Sequence, residues 1–461
     1  MVAALCSPAK EMMMSECFDL IVLGAGSGGL SVAQHGARLG ARVALFDADA
    51  LGGTCVNRGC VPKKAMWYAA QIAEMHRLAA DIGFDVAPMS LDWARFRQLR
   101  DRYIAGIRQR YATRLDTAGI HVVPQVARFV STDTVTTQQG LQCSASHIVI
   151  ATGARPRRLN IPGFELGMLS DDIFTLDAPP KYIAIVGGGY VAVEFACLMH
   201  GLGCKVDVFV REHLLAGFDH ELVETLAASM QARGIRMLRR TQIKAARGKP
   251  GEVTLETGDG AEHGVYDAVL WAVGRVPHSG DMGLEEMGVA RDEEGHVLVD
   301  ACQNTNVPGV YAVGDVTDRK ALTPVAVAAG RALADRLVNG RADAKFDDTT
   351  IPSVVFSEPP MGTVGLTEQQ AHARYGDAVS VHSGRYTPLL LMVAGRTEQS
   401  MVKLVCVGED RKVVGIHVLG PGSDELLQGF AVALQKGLYW RDLKAAIAIH
   451  PTAAEELLLL H

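Results

Sequence analysis

Two segments of this chain repeat one design, about 160 residues apart. In the first, Phe18–Leu23 (FDLIVL) is an apolar run of strand length. GAGSGG follows, with Gly24, Gly26 and Gly29, and then LSVAQHGARLG at helical spacing. A second strand pattern, ARVALFD, closes the unit at Asp47. The later segment runs YIAIV (Tyr182–Val186), GGGYVA with Gly187, Gly189 and Ala192, VEFACLMHGLG, and KVDVFV ending at Val210. Strand, glycine turn, helix and strand make the βαβ unit that binds dinucleotides. Its glycines permit the tight turn, close approach of a pyrophosphate, and helix–strand packing. One such glycine pattern also fits an ordinary tight turn. Two, each correctly framed, predict an α/β chain with two Rossmann-like domains.

At 461 residues the chain is too long for one ordinary domain. Residues 62–120 carry apolar residues at helical spacing, and 121–150 and 280–315 read as short strands. From about Thr349, strand patterns (SVVF, MVKLVCV, VVGIHVLG) alternate with helical ones (TEQQAHARYG, DELLQGFAVALQKG), which predicts a separate α+β domain. The net charge is −6 with no long run of one sign, so nucleic acid and anionic membrane are poor partners. The most apolar region, Ile183–Gly203, is interrupted by Glu194 and three consecutive glycines, so no bilayer span is expected. Met1–Cys17 lacks the pattern of a secretory signal, and residues 1–16 are expected to be a disordered extension. Nine scattered cysteines, an odd number, point to a reducing, cytoplasmic setting. There a close cysteine pair is redox-active or metal-binding rather than structural.

Asp47 ends the second strand of the first unit, 18 residues beyond Gly29, where a carboxylate can accept both ribose hydroxyls of an adenosine. The matching position in the second unit is the apolar Val210, followed by Arg211. An arginine there favours a 2′-phosphate. The first unit therefore matches FAD and the second NADPH, although Arg211 also reads as a solvated loop residue. Next comes LGGTCVNRGCVPKK, with Cys55 and Cys60 five positions apart. In a regular helix that spacing separates Cα atoms by roughly 8–9 Å, whereas a disulfide needs about 4.4–6.8 Å. A bridge would need irregular backbone, which Gly52, Gly53, Gly59 and Pro62 can provide. Lys63 and Lys64 add charge that favours thiolate. Zinc would need a second Cys or His pair nearby, and the sequence has none there, so no metal is expected. Near the end, His450-Pro451-Thr452-Ala453-Ala454-Glu455 reads two ways. Thr452 and Glu455 fit a capping box, or Glu455 orients His450 as an acid–base.

Together these segments resemble the pyridine nucleotide–disulfide oxidoreductases, most closely the branch that reduces glutathione disulfide. The resemblance runs in order from about Phe18 to Leu460 through GAGSGG, GGTCVNRGCVPKK, ATG, GGGYVAVE, WAVGR, VYAVGDV, LTPVAVAAGR, MGTVGLTE and HPTAAEE. It implies that Cys60 faces the flavin and Cys55 attacks the substrate. Lys63 and Glu194 would pair beside the flavin's reactive nitrogen, and Tyr190 would cover the nicotinamide pocket. His450, assisted by Glu455, would come from the other subunit of a homodimer and protonate the leaving thiolate. The FAD set would include Gly24, Gly26, Ser27, Gly28, Gly29, Asp47, Gly53, Thr54, Thr152, Gly153, Gly314, Asp315 and Thr323. The NADPH set would include Gly187, Gly189, Val191, Arg211, Gly274 and Arg275. Substrate contacts would fall at Ser31, Gln34, Tyr103, Tyr111, Arg114, Arg331 and Leu389, with His450.

Two departures stand out. Members that use NADPH usually carry a second arginine a few residues after the first, and here REHLLAGFD has none and is one residue short. NADPH preference is then weaker, or helped by His213, while Ala192 still leans toward NADPH. Gln34 stands where the family often has an arginine. Arg110 and Arg114 still give the positive balance that an anionic peptide such as glutathione disulfide favours. A C-terminal cysteine pair, required in mercuric reductase, is missing, since Cys406 is the last cysteine. The alternatives are a related reductase of another small disulfide, dihydrolipoamide dehydrogenase, or a flavin-binding scaffold without catalysis. The expected organisation is an FAD domain at 17–154, an NADPH domain at 155–277, a returning FAD or central segment at 278–348, and a dimerisation domain at 349–461.

Overall fold

The computed structural model describes residues 16–348 and 350–461. The first strand opens at Glu16, the last residue of the expected extension, and the rest of that expectation lies outside the described residues. The chain divides into two compact units. One takes the chain up to Asn57, Tyr103–Arg155 and Arg275–Phe346, and the other takes Arg58–Arg102, Pro156–Gly274 and Asp347–His461.

In the first unit the strand Glu16–Leu23, buried from Leu20 onward, lies between Val43–Phe46 and Gln142–Ile150, parallel to both. Runs of Leu, Ile and Val fit a strand covered on both faces. His121–Val123 extends one side of the sheet and Val310–Ala312 the other, again in parallel. The register pairs Leu23 with Phe46 and with Ile150, and Ile150 with Ala312, so four strands end in line. Ala127–Ser131 and Thr134–Thr137 complete the sheet in antiparallel fashion. Helices Ser27–Arg38 and Thr323–Leu337 pack together where Gly330 meets the Gly28 carbonyl, an added Cβ coming within 2.9 Å of it.

The second unit contains another parallel sheet, in the order Arg236–Arg239, Lys205–Val210, Tyr182–Val186, Ala268–Trp271 and Met168–Leu169. A three-stranded antiparallel sheet, Ile243–Lys249, Glu252–Thr257 and Glu262–Tyr266, adjoins it in sequence and has no counterpart in the sequence reading. Beyond it stands a five-stranded antiparallel sheet, ordered Ser353–Val355, Met361–Gly365, Lys412–Leu419, Ser400–Val407 and Val379–Tyr386. Helix Ser423–Gln435 covers one face through Leu427, which sits among Val364, Leu404 and Ile416. The longer helices Cys60–Asp81 and Trp93–Thr117 account for the helical pattern at 62–120. No described helix is long and apolar enough to cross a membrane.

The strands expected across 280–315 are mostly turns. Only Val310–Ala312 forms a ladder there, with isolated bridges such as Arg291 to Val297. The cause is local. Asp292 accepts from the backbone N–H of Glu294 and His296, and Asp300 accepts from those of Cys302 and Asn304. Such side-chain turns compete with strand pairing.

Within the second unit the antiparallel sheet is tied to helix His220–Ala232 by a buried ion cluster. Lys403 Nζ lies 3.0 Å from Asp219 Oδ1 and also donates to Glu368, and the Lys403 and Asp219 side chains are only 1% and 2% exposed. Asp219 also caps the helix by accepting from Glu221 N and Leu222 N. Burial raises the Asp219 carboxyl, but the Lys403 bond and charge outweigh this and hold it below the usual range. Lys403→Met would leave this carboxylate buried beside Glu368 without its cation, at a cost of about 3–5 kcal/mol. Denaturant titration should show that loss, with part recovered in Lys403→Met/Asp219→Asn. A single-variant loss under about 1 kcal/mol would mean that the cluster is no stronger than a surface pair.

Candidate functional site

The in-line strand ends deliver the first group of site residues to one edge. Gly24 N donates to Phe46 O, Ala151 N to Leu23 O and Val313 N to Ile150 O, which carries the ladder one residue past the strands. Gly24, Asp47, Thr152 and Asp315 therefore leave the sheet at the same edge, where open α/β sheets bind ligands. Gly24 has φ +109°, and a Cβ on it would fall 2.4 Å from the Ala151 carbonyl oxygen. A Cβ on Gly29 would be 1.9 Å from Gly24 O. The turn after strand Val43–Phe46 closes against the same place. Gly52 N donates to Ala25 O, and Gly53, at φ +60°, brings its backbone against Gly26. Asp47 Oδ2 accepts from Ala25 N at 2.6 Å and Oδ1 accepts from Asp49 N at 2.8 Å, which fixes the carboxylate beside the glycine turn.

Helix Ser27–Arg38 has Gly26 as its N-cap and no side-chain cap, so its first N–H groups remain available to an anion. Thr323 opens a second helix, capped by Leu322, also without a side-chain cap. Thr152 Oγ1 donates to His278 O, and Gly153 and Gly314 have left-handed φ of +69° and +78°. Burial raises the Asp315 carboxyl, partly offset by the charge of Arg275. Arg275 itself donates to Ala154 O. Crowded glycines, an uncapped helix and a fixed carboxylate fit a dinucleotide, with the pyrophosphate at Gly24–Gly29 and an adenosine ribose at Asp47. Ser27, Gly28 and Thr54 lie on the same turn–helix elements.

The second unit repeats the arrangement. Gly187 N donates to Phe209 O and Ala272 N to Val186 O. A Cβ on Gly187 would be 2.1 Å from Ala272 O, and Gly189 caps helix Tyr190–Gly201 without a side-chain bond. Leu215 N donates to Gly188 O at 2.6 Å, which folds the REHLL loop back onto the turn. Tyr190 is half exposed at the start of the helix, followed by Val191 and the buried Ala192. Gly274, at φ +107°, accepts from Arg157 N. Arg211 follows Val210 as expected, and its side chain is 69% exposed with Nε 2.9 Å from Glu212 Oε1. That neighbouring carboxylate was not anticipated. His213 is exposed.

Cys55 lies in the short helix Gly53–Arg58, and Cys60 opens helix Cys60–Asp81. The helical course breaks between them at Gly59, whose φ of −150° and ψ of −118° are far from helical. The irregular backbone required for a bridge is therefore present. Pro62 lies in the first turn of the second helix. Its neighbour Lys63 is buried, with Nζ 2.9 Å from Glu194 Oε1 and 4.0 Å from the centre of the Phe356 ring. The same Glu194 oxygen accepts from Phe356 N at 2.8 Å. Lys64 is committed as well, bonded to Asp424 at 3.0 Å and set 3.8 Å from both the Trp67 and the Phe356 rings. Burial lowers the Lys64 amine, and Asp424 opposes this. Both lysines thus have matched carboxylates. The Lys63–Glu194 pair is the one the resemblance implies, whereas the Lys64 partner, 360 positions away, has no sign in the sequence.

His450 is 80% exposed on its side chain, and its Nδ1 lies 2.9 and 3.1 Å from the two Glu455 oxygens. Glu455 also accepts from Thr452 N, while Thr452 Oγ1 donates to Ile449 O. The helix begins at Glu455 itself, with Ala454 as its N-cap and no side-chain cap, so Thr452 is not a cap residue; the carboxylate orients the histidine and holds the Thr452 N–H as well. Among the expected substrate residues, Ser31 Oγ donates to Val327 O, and Gln34 has a buried amide nitrogen without a described partner. Tyr111 packs into the first unit's core, and Tyr103, Arg114 and Arg331 are exposed in that unit. Leu389, in the second unit, is exposed on helix Leu389–Val393.

Comparison with known proteins gives two family matches. The pyridine nucleotide-disulphide oxidoreductase model covers residues 18–330, and the dimerisation domain of that family covers 351–460. A glutathione reductase of Schizosaccharomyces pombe (strain 972 / ATCC 24843) is 40% identical over 461 residues, 97% of this chain and 99% of its own. A glutathione reductase of Yarrowia lipolytica (strain CLIB 122 / E 150) is 38% identical over 469 residues, 96% of this chain and 98% of its own.

The bond to His450 holds Glu455 below the usual carboxylate range. Such a group contributes stability that is present above its unfolded pKa, near 4.5, and lost as pH falls through the lower folded value. The stability gap between the native protein and Glu455→Gln should therefore be open at neutral pH and close as the solution is acidified below that range. Unfolding titrations at a series of pH values read the gap. A gap independent of pH would show that the ionised carboxylate is not its source.

Proposed function

The chain belongs to the pyridine nucleotide-disulphide oxidoreductases, and from that premise we propose that it reduces glutathione disulfide to two glutathione with NADPH, using FAD and the Cys55–Cys60 pair. The observation that carries the reading is the placement of two cysteines, separated by a helix break, directly after a glycine turn and a fixed ribose carboxylate. The full-length likeness to two glutathione reductases supports the choice of substrate.

Bound FAD supplies the route by which the two electrons of a hydride from NADPH reach the cysteine pair. The first cradle would hold it through Gly24–Gly29, Asp47 and the Thr323 helix, and the second would receive NADPH through Gly187–Gly189 and Arg211. The Lys63–Glu194 pair keeps one buried ammonium in place, with Phe356 N fixing the carboxylate. The reduced pair provides the Cys55 thiolate, which attacks one sulfur of glutathione disulfide. The S–S bond breaks, a Cys55–glutathione bond forms, and the leaving thiolate takes a proton from His450 of the partner subunit. Cys60 thiolate then attacks the Cys55 sulfur, releases the second glutathione and restores the Cys55–Cys60 bond. Glu455 keeps the imidazole aimed with Nδ1 inward and Nε2 outward for the transfer.

A homodimer fits this assignment. Ile447 and Ile449 lie just before His450 and are 97% and 76% exposed, and Leu459 on the helix that follows is also exposed. A catalytic segment edged with uncovered isoleucines fits burial against a second copy. The reducing compartment inferred from the cysteines is the cytoplasm.

His450→Gln should lower kcat by roughly 10²–10⁴, and Cys55→Ser should abolish glutathione turnover. Heterodimers of the two variants decide where His450 acts. If it acts across the interface, each heterodimer retains one complete site and regains about half the native rate. If it acts within its own chain, both sites are defective and no rate returns. Parallel assays of the native enzyme with lipoamide, and with NADH, test the substrate and cofactor assignment, since faster turnover with either would move it to a sister enzyme.

A further inference from the structure

The missing second arginine of the REHLLAGFD loop leaves a chemical problem that rests on the NADPH reading above. A phosphate monoester carries about −1.5 to −2 charges near neutral pH. On that loop it would meet one guanidinium, Arg211, whose Nε is already bonded to the Glu212 carboxylate. One partly neutralised arginine is a weak match for such a group.

We propose that Arg240, which lies outside the loop, is the second cation that recognises the 2′-phosphate of NADPH. The strand Arg236–Arg239 runs parallel to Lys205–Val210, with Arg239 paired to Val210. Thr241 N donates to Val210 O at 3.0 Å, which continues the pairing past both strand ends. Arg211 and Arg240 therefore leave adjacent strands side by side, with strands spaced roughly 5 Å apart. They do so at the sheet edge that carries the Gly187–Gly189 turn.

Two further facts separate Arg240 from its neighbours. Arg239 is committed to Glu224 through hydrogen bonds of 2.8 and 2.9 Å to its two oxygens. Arg240 is exposed and forms no ion pair among the described residues. It also holds φ at +56°, a left-handed conformation that favours glycine or asparagine. Strain of this kind in an unpaired arginine is a pointer to function. A planar guanidinium there can grip phosphate oxygens through two parallel bonds.

The test uses the flavin-loaded enzyme and two nucleotides, 2′,5′-ADP and 5′-ADP, which differ only in the 2′-phosphate. Arg240→Gln should raise Kd for 2′,5′-ADP about tenfold, the effect of losing one charge-assisted contact, and should not move Kd for 5′-ADP. KM for NADPH should rise in step without a matching fall in kcat, and Arg240→Lys should recover part of the loss. Equal weakening of both nucleotides, or no change in either, overturns the proposal. If the native enzyme does not favour 2′,5′-ADP over 5′-ADP, the NADPH reading fails and takes this proposal with it. A native preference that survives Arg240→Gln leaves the NADPH reading standing and removes Arg240 alone.

Discussion

A Cβ on Gly29 would meet the Gly24 carbonyl oxygen at 1.9 Å, and one on Gly24 would meet that of Ala151 at 2.4 Å. This crowding of backbone on backbone is the constraint on which the first unit depends. It lets the strand turn into its helix within a few residues, so that the helix N-terminus stands directly over the sheet edge. The parallel register then brings Asp47, Thr152 and Asp315 to that same edge. A one-residue slip of any strand would move its terminal residue off the edge and reverse its buried face. The second unit uses the same solution, with Gly187 against Ala272.

Charge is handled differently. The second unit buries Lys63 with Glu194, and Lys403 with Asp219, each pair supported by a backbone N–H bonded to its carboxylate. A buried pair returns its desolvation cost only when the remaining lone pairs are satisfied. The N–H groups of Phe356 and Glu368 meet part of that need. Each bond also joins a helix of the nucleotide-binding half to the C-terminal segment. The ion pair near the redox centre is thus anchored to the domain expected to form the dimer, and both lie within one compact unit.

Much of this was legible in the sequence because it is local. The two glycine turns, Asp47, Arg211, the break between Cys55 and Cys60, and the reach from His450 to Glu455 all lie within short windows. Such windows carry their own physics: periodicity, turn residues and caps. Where the sequence reading fell short, the cause was distance or competition. The Lys64 partner, Asp424, lies on a helix 360 positions away that only the fold brings to it. The Asx turns at Asp292 and Asp300 override a strand-like hydropathy pattern at 280–309. Glu212 adjoins Arg211 and could have been weighed from sequence alone, but which side chain it bonds depends on rotamers.

The C-terminal segment shows how a site can be prepared within one chain yet left open. Glu455 is fixed by Thr452 N, and its helix is held by the buried Leu457, packed with Leu438 and Leu443. Lys444 Nζ ties to Leu458 O from the neighbouring helix. The orientation of His450 is therefore set before any second chain arrives. Its cover is not, because Ile447 is almost fully and Ile449 about three-quarters exposed. Burying each would be worth about 1.5–3 kcal/mol. That energy is available only on association, while the hydrogen bonds aiming the imidazole are already made. Under the proposed function, with the imidazole preorganised and its apolar rim uncovered, dimer formation would be the step that excludes water, without having to build the donor's geometry.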